Sequence, residues 1–330
     1  MAYFDQRLNF YMRFIVTAIG SFSADCVIHK LKEAGHYVVG CDIYEGLWHA
    51  ESKACDVFYR APYATEERAY VNFLLDISRK ERISHIIPLT DLEIDVLNRH
   101  REEFERVGGV LCMQSIGCLA VARDKARLCE LFANDVQVHI PRTVRSTDLI
   151  GRTLAPPLIA KPVNGRSSEG LIRIYTEEEL RMYSSLSNYI FQEMIDGTVF
   201  TVDYVRDQWG KDFAVAREEL LRTKNGAGTT VRVVNDKVLS ETVSYIGNKL
   251  SVCGCVNMEF IFDAKVGNYF LIDINPRFSA GVAFTCKVGY DMVTSHVNCI
   301  EGKAILPPVT YEEQIITKRY VEEVLWKPKH

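Results

Sequence analysis

Between residues 13 and 112 the chain alternates short apolar runs with amphipathic stretches, and that alternation limits the fold more than any other feature. "RFIVTAIG" (13–20), "YVVGCDI" (37–43), "DVFYRAP" (56–62), "HIIPLT" (85–90) and "GVLC" (109–112) read as buried strands. Between them lie helical segments near 23–34, at 65–81 and from about 91 to 106, and Gly35 stands where the first would stop. Strands separated by helices at this spacing predict a parallel, doubly wound sheet, because a parallel crossover needs a covering helix. From residue 156 the pattern changes. "PPLIAKPV", "GLIRIY", "YIFQEMI", "TVFTVDYV", "FAVAREEL", "TVRVV", "NMEFIFD" and "YFLIDIN" follow one another with NG, DG and GN turn signals between several of them. This half reads as α+β with a largely antiparallel sheet. The fold class expected is therefore α/β plus α+β.

Composition narrows the function. The chain has 330 residues, 25% of them charged, with a formal net charge of −4, so it carries no basic footprint for nucleic acid. No run reaches 18 apolar residues, which argues against a membrane helix, and the N-terminus lacks the apolar core of a signal peptide. The ten cysteines form no CxxC pair, and Cys253 and Cys255 have no partner pair or histidine at zinc spacing. They read as reduced, mostly buried residues of a cytoplasmic protein. Met12 stands directly before the first strand, so residues 1–11 are expected to be an extension. Asp42 follows Gly20 at a distance suited to a dinucleotide fold, but "IGSFSADC" holds one glycine where that fingerprint needs three. An NAD(P) oxidoreductase is thus the weaker alternative.

The chemistry gathers in "LIDINPRFSAG" (271–281). In a strand, Asp273 and Asn275 point to one face. A hairpin centred near Val266 sets Glu259 opposite Asp273 and Ile261 opposite Leu271, all on that face. Two carboxylates and an amide on one patch repel unless a cation joins them, and such oxygens suit magnesium, with manganese as a substitute. Local turn hydrogen bonds beside Pro276 are the plainer explanation for this stretch alone. "LIAKPVNGRSSEGLIRI" (158–174) ends an apolar strand in Lys161, then turns through Gly165, Arg166, Ser167, Ser168 and Gly170. Such a loop can close over phosphates, although a simple hairpin turn fits it as well. Lys161 is harder to explain blandly, since a buried ammonium needs an anion. The extended backbone from Gln192 through Glu193 and Met194 to Ile195 offers groups for an adenine edge, and Ile159, Phe191 and Met194 are candidates to sandwich the ring.

In this order the elements resemble the ATP-grasp superfamily, and single modules similar to the synthetase domains of the carbamoyl-phosphate synthetase large subunit. The resemblance implies a Rossmann-like pre-ATP-grasp domain at 12–117, a lid subdomain at 118–189 and a C-terminal subdomain at 190–330. It assigns Lys125 and Lys161 to nucleotide phosphates, 165–170 to a mobile cover, and Glu193–Ile195 to the adenine hinge. Glu259, Asp273 and Asn275 would hold magnesium, and Arg277 would face the transferred phosphoryl group. Val199 stands where the family usually has a ribose-binding Glu, with Asp203 as a substitute, and Asp273 replaces the commoner Glu. The implied activity is ATP-dependent activation of a small carboxylate for attack by an amine or thiol, forming ADP. The alternative from another class is a non-catalytic ATP-binding module. Arg217, Arg222 and Lys224 suggest an anionic substrate, or a solvated loop. Substrate choice would rest with the N-terminal domain and the loops at 222–232 and 278–290, and the resemblance allows a homodimer.

Overall fold

The computed structural model describes residues 11–149, 154–165 and 169–327. Two compact units emerge, residues 1–113 with 321–330, and residues 114–320.

The first unit is built as the alternation predicts. It runs β1 (Arg13–Val16), α1 (Ala24–Glu33), β2 (Tyr37–Asp42), β3 (Val57–Arg60), α2 (Glu67–Glu81), β4 (His85–Ile87), α3 (Asp91–Arg99), α4 (Arg101–Glu105) and β5 (Val110–Leu111). The strands form one parallel sheet in the order β3-β2-β1-β4-β5. α1 buries Ala24, Val27, Ile28 and Leu31, the spacing of one helical face. The single helix expected from 91 to 106 is two, broken at His100. α3 opens on a capping box in which Thr90 and Glu93 satisfy each other's backbone. The dinucleotide alternative meets a steric obstacle here. A Cβ at Gly20 would lie 2.5 Å from Cε1 of His49, so the imidazole covers the one glycine of that loop. Asp42 accepts from the Gly20 and Tyr44 N–H groups, and its Oδ1 lies 3.3 Å from His49 Nε2. The acid that would read a ribose is already engaged.

The second unit carries two antiparallel sheets. It begins with α5 (Ile116–Ala122) and α6 (Lys125–Phe132). β6 (Thr143–Arg145), β7 (Leu158–Pro162), β8 (Ile172–Ile174), α7 (Glu177–Tyr183) and β9 (Tyr189–Glu193) follow, and the strands form a small sheet in the order β6-β9-β7-β8. Then come β10 (Thr198–Arg206), β11 (Asp212–Arg222), β12 (Gly228–Val234), α8 (Lys237–Lys249), β13 (Gly254–Asp263), β14 (Asn268–Asn275), α9 (Val282–Lys287), α10 (Met292–Ile300) and β15 (Gln314–Thr317). These strands form a six-stranded sheet in the order β14-β13-β10-β11-β12-β15. α8 packs on one of its faces through Leu239, Val243 and Ile246, in a core with Val202, Tyr204, Met258, Phe260, Leu271 and Ile274. That leaves the other face of β10, β11, β13 and β14 to carry polar side chains. The sequence reading misses α8 although Asp236 caps it and Leu239, Val243 and Ile246 recur at helical spacing, because Val238, Thr242, Val243, Tyr245 and Ile246 also favour strand.

Candidate active site

Two lysines and the β13–β14 hairpin converge. Asp124 caps α6 by accepting from the N–H groups of Ala126 and Arg127, which fixes Lys125 in the first turn. Lys125 is 8% exposed. Its Nζ donates to both carboxylate oxygens of Asp273, at 2.9 and 2.8 Å, and to the Gly165 carbonyl at 3.2 Å. Lys161 lies near the end of β7 and donates to the Ile272 carbonyl at 3.1 Å. Burial pushes the Lys161 ammonium below the usual lysine range, opposed by the charge of Asp273 and reinforced by Lys125.

The hairpin register is half as expected. Glu259 pairs with Asp273 and Asn257 with Asn275, but the ladder shifts between Glu259 and Phe260. Ile261 therefore faces Phe270 rather than Leu271. Leu271 turns into the core behind the sheet with Ile274, instead of sharing the face of Asp273. The cause is a β-bulge at Ile272, one extra residue on β14. There the ladder opens: Leu271 N–H turns to the His139 carbonyl, and the Ile272 carbonyl turns to Lys161.

Asn275 Nδ2 donates to Glu259 Oε1 at 3.1 Å and is 3.4 Å from Asn257 Oδ1. Arg277 reaches back to Asn275 Oδ1 at 3.4 Å and to the Phe278 carbonyl at 3.2 Å. Burial holds the Glu259 carboxyl above its usual range; the charge of Asp273 adds to this and Arg222, 3.4 Å away, opposes it. Among the described residues no group of three or more His, Cys, Asp or Glu is placed to hold a metal. The expected ligands are two carboxylates and one amide.

One acid escaped the sequence reading. Glu219 on β11 accepts from Thr201 Oγ1 at 2.5 Å, while its Oε2 is buried without a hydrogen-bond partner. A Cβ at Gly228 would overlap that oxygen, so the glycine makes room for it. Thr201 pairs with Glu259 across β10–β13. Glu219, Glu259 and Asp273 thus stand along one sheet face. Glu219 adds an unpartnered carboxylate oxygen to the face of the expected ligands, without the three acids forming a group placed to hold one metal. Only the cross-strand register brings Glu219 there, and no local motif marks it.

Other expectations are corrected. Asp203 cannot reach a ribose: it is fully buried, and Arg217, Thr285 and Asn257 occupy its oxygens. Arg217, expected near an anionic substrate, is 1% exposed for the same reason. Phe191 packs in the small-sheet core with Leu158, Ala160 and Ile174, not over a ligand ring. Gln192 turns its amide to Thr143 Oγ1 at 2.9 Å. The hinge N–H groups of Glu193 and Met194 already donate to Arg142 and Pro157 carbonyls. Gly170 adopts φ 70°, as a glycine turn requires. Arg166, Ser167 and Ser168 lie outside the described residues.

Comparison with known proteins agrees with this layout. Residues 122–281 match the ATP-grasp domain family, and residues 26–112 match the PylC-like N-terminal domain. The carbamoyl phosphate synthase large chain of Thermotoga neapolitana is 24% identical over 303 residues, covering 82% of this chain but only 26% of its own length. The chain thus spans about a quarter of that relative. Among solved structures, the biotin carboxylase domain dimer of Hydrogenobacter thermophilus 2-oxoglutarate carboxylase, in complex with MgADP and bicarbonate, aligns with a TM-score of 0.74 at 18% identity. That match covers 88% of this chain and 70% of the other. The L-amino acid ligase of Bacillus licheniformis aligns at 0.68 with 14% identity, covering 88% and 74%. At these identities the structural likeness speaks for the fold alone. No helix among the described residues is long and apolar enough to cross a membrane.

Proposed function

We propose that this chain, matched by the ATP-grasp domain family over residues 122–281 and by the PylC-like N-terminal domain family over 26–112, is an ATP-grasp protein acting as a magnesium- and ATP-dependent ligase that joins a small carboxylate to an amine. The observation that carries this reading is the convergence of Lys125, from a capped helix, and Lys161, from a separate strand, on the Asp273 stretch of one hairpin. Lys125 is paired with the Asp273 carboxylate, whereas the hydrogen bond of Lys161 goes to a neutral carbonyl, leaving its charge to be met by polyphosphate oxygens. When bound, Mg-ATP would supply the phosphoryl group that converts the carboxylate into an acyl phosphate, with ADP as the leaving group, and the amine would then displace phosphate to form the amide.

The chain's own residues perform the positioning. Lys125 and Lys161 offset phosphate charge, and Asp273, Glu259 and Asn275 would hold the metal. Lys125 and Asp273 pair with each other, so engaging nucleotide and metal requires that they part. The lysine would go to a phosphate and the carboxylate to the cation. Arg277 stabilises oxygens of the transferred group. No side-chain nucleophile is needed. With the Glu193 and Met194 N–H groups engaged, adenine recognition falls to Ile195 and to the carbonyls of the hinge.

Thermal unfolding with and without Mg-ATP tests this, on the native chain and on Asp273→Ala. Ligand at about a hundredfold over its Kd adds roughly 2.7 kcal/mol to the native chain. The rise disappears when EDTA removes magnesium, and Asp273→Ala abolishes it. The readout is the nucleotide increment, since Asp273→Ala also strips Lys125 of its ion pair and lowers the starting midpoint. ADP release stimulated by a carboxylate and amine pair then separates a ligase from a module that only binds ATP. No increment in the native chain would end this reading.

A further inference from the structure

Among the described residues Arg217 is the largest fully buried side chain, and it lies beneath the segment that carries Arg277. From the middle of β11 its guanidinium makes a fork. Nη1 donates to Asp203 Oδ2 at 2.5 Å and to Thr285 Oγ1 at 2.8 Å. Nη2 donates to Asp203 Oδ1 at 3.2 Å and to Ser279 Oγ at 3.2 Å. Ser279 Oγ in turn accepts from the Gly281 N–H at 3.1 Å. A Cβ at Gly281 would sit 3.1 Å from Nη2, so the turn at 279–281 lies directly on the guanidinium.

A second line of contacts runs along the sheet from the same pair. Asn257 Nδ2 reaches Asp203 Oδ1 at 3.4 Å, Asn275 Nδ2 reaches Asn257 Oδ1 at 3.4 Å, and Arg277 Nη2 reaches Asn275 Oδ1 at 3.4 Å. Arg277 is therefore framed from both sides: through Asn275 on the strand before it, and through Ser279 on the turn after it. Both supports end on the Arg217–Asp203 pair.

Stability alone does not explain so costly an arrangement, because two buried charges lose their hydration and apolar residues would serve a core as well. Burial alone would push the Asp203 carboxyl up, but the charge and hydrogen bonds of Arg217, with Thr285 and Ser279, hold it below its usual range. The pair stays ionised, and its directional bonds fix a geometry that apolar packing would leave loose. We propose that Arg217 is a positioning residue, locking the 277–281 turn so that Arg277 is aimed at the terminal phosphate of the nucleotide. This rests on the ligase reading above, in which Arg277 meets the transferred group.

The test compares calorimetric affinities, in magnesium, for ADP and for the β,γ-imido analogue of ATP, which differ only by the terminal phosphate group and its bridge. Arg217→Ala would leave Asp203 buried and unpaired and can fail to fold, so Ser279→Ala is the main variant. It removes one hydroxyl and keeps the ion pair. Arg217→Lys is the second, retaining charge but not the fork. The expected result is ADP affinity within about twofold of native, with the analogue weakened about five- to tenfold in both variants, and the same selective loss in Arg277→Ala. Native affinity for both ligands in Ser279→Ala and Arg217→Lys would overturn the proposal, as would an equal loss for both ligands, which marks a general structural effect. The premise fails separately, if the native chain binds neither ligand or if Arg277→Ala leaves the analogue's affinity intact.

Discussion

Lys161 and Glu259 are held on opposite sides of their ordinary ranges by one cause. Burial disfavours the charged form of each, pushing the lysine down and the acid up. Both directions have consequences for ligand binding, with opposite signs. A metal held by Glu259 would require it as carboxylate, so binding would release its proton and affinity would rise with pH through the raised Glu259 pKa. A phosphate held by Lys161 would require it as ammonium, so binding would take up a proton and affinity would fall as pH rises through the lowered Lys161 pKa. The expected profile for Mg-ADP is a bell whose two limbs both lie nearer neutrality than free side chains would set them. Calorimetry in two buffers of different ionisation enthalpy counts the protons directly: release on the acid limb, uptake on the alkaline one. Glu259→Gln removes the acid limb and leaves the alkaline one. A flat profile on both sides of neutrality would withdraw both residues from the site.

At the scale of elements, the sequence was legible where periodicity alone decides and silent where a single inserted residue does. Alternation put Asp273 and Asn275 on one face, and a hairpin centred near Val266 put Glu259 opposite Asp273. That pairing holds because the bulge shifts a ladder that otherwise pairs Phe260 with Leu271 and Ile261 with Phe270. The same parity rule misplaced Leu271, since nothing in "YFLIDIN" announces the extra residue at Ile272. That bulge is what delivers a carbonyl to Lys161, and no spacing argument could have found it. Lys161 itself was legible as a lysine in need of an anion, and Glu219 was not, because its neighbours come from other strands. The connection from hinge to sheet shows a similar dependence on close approach. A Cβ at Gly197 would overlap the Phe262 carbonyl oxygen, so the turn between β9 and β10 lies against β13 at a distance only glycine allows. Gly197→Ala must push these strands apart, with the hinge just before it. A loss of about 1–3 kcal/mol is expected in denaturant unfolding, the range of strained backbone substitutions, together with weaker adenine nucleotide binding. Unchanged stability and affinity would mean that the hinge does not depend on this contact.

Over the whole molecule, the order of motifs was readable because each piece has a local signature. The closing of the large sheet was not. β15 is four residues long and follows a stretch without regular structure, too brief for periodicity to detect. It nonetheless forms the outer edge of the six-stranded sheet, pairing Thr230 with Thr317 and Val231 with Ile316. Lys318 continues the clasp, its N–H on the Thr229 carbonyl at 2.9 Å and its Nζ on the Ala280 carbonyl at 2.8 Å, within the turn that follows Arg277. Without it, β12 would present a row of unpaired backbone groups along a strand containing Val231 and Val233, a template for pairing with other chains. Deleting residues 314–330 is therefore expected to produce larger species in sedimentation velocity than the intact chain at equal concentration, and to lower the unfolding midpoint. Deleting only 321–330 is the control. Among the described residues it removes the ion pair of Glu323 with Lys53, about half exposed on both sides, and the hydrogen bond from Lys53 to the Val324 carbonyl, and such surface contacts contribute little. The control should sediment like the intact chain. If the longer deletion does too, with its midpoint unchanged, the sheet does not need β15 to close its edge, and the contact at Ala280 holds nothing that β14 and α9 do not already hold.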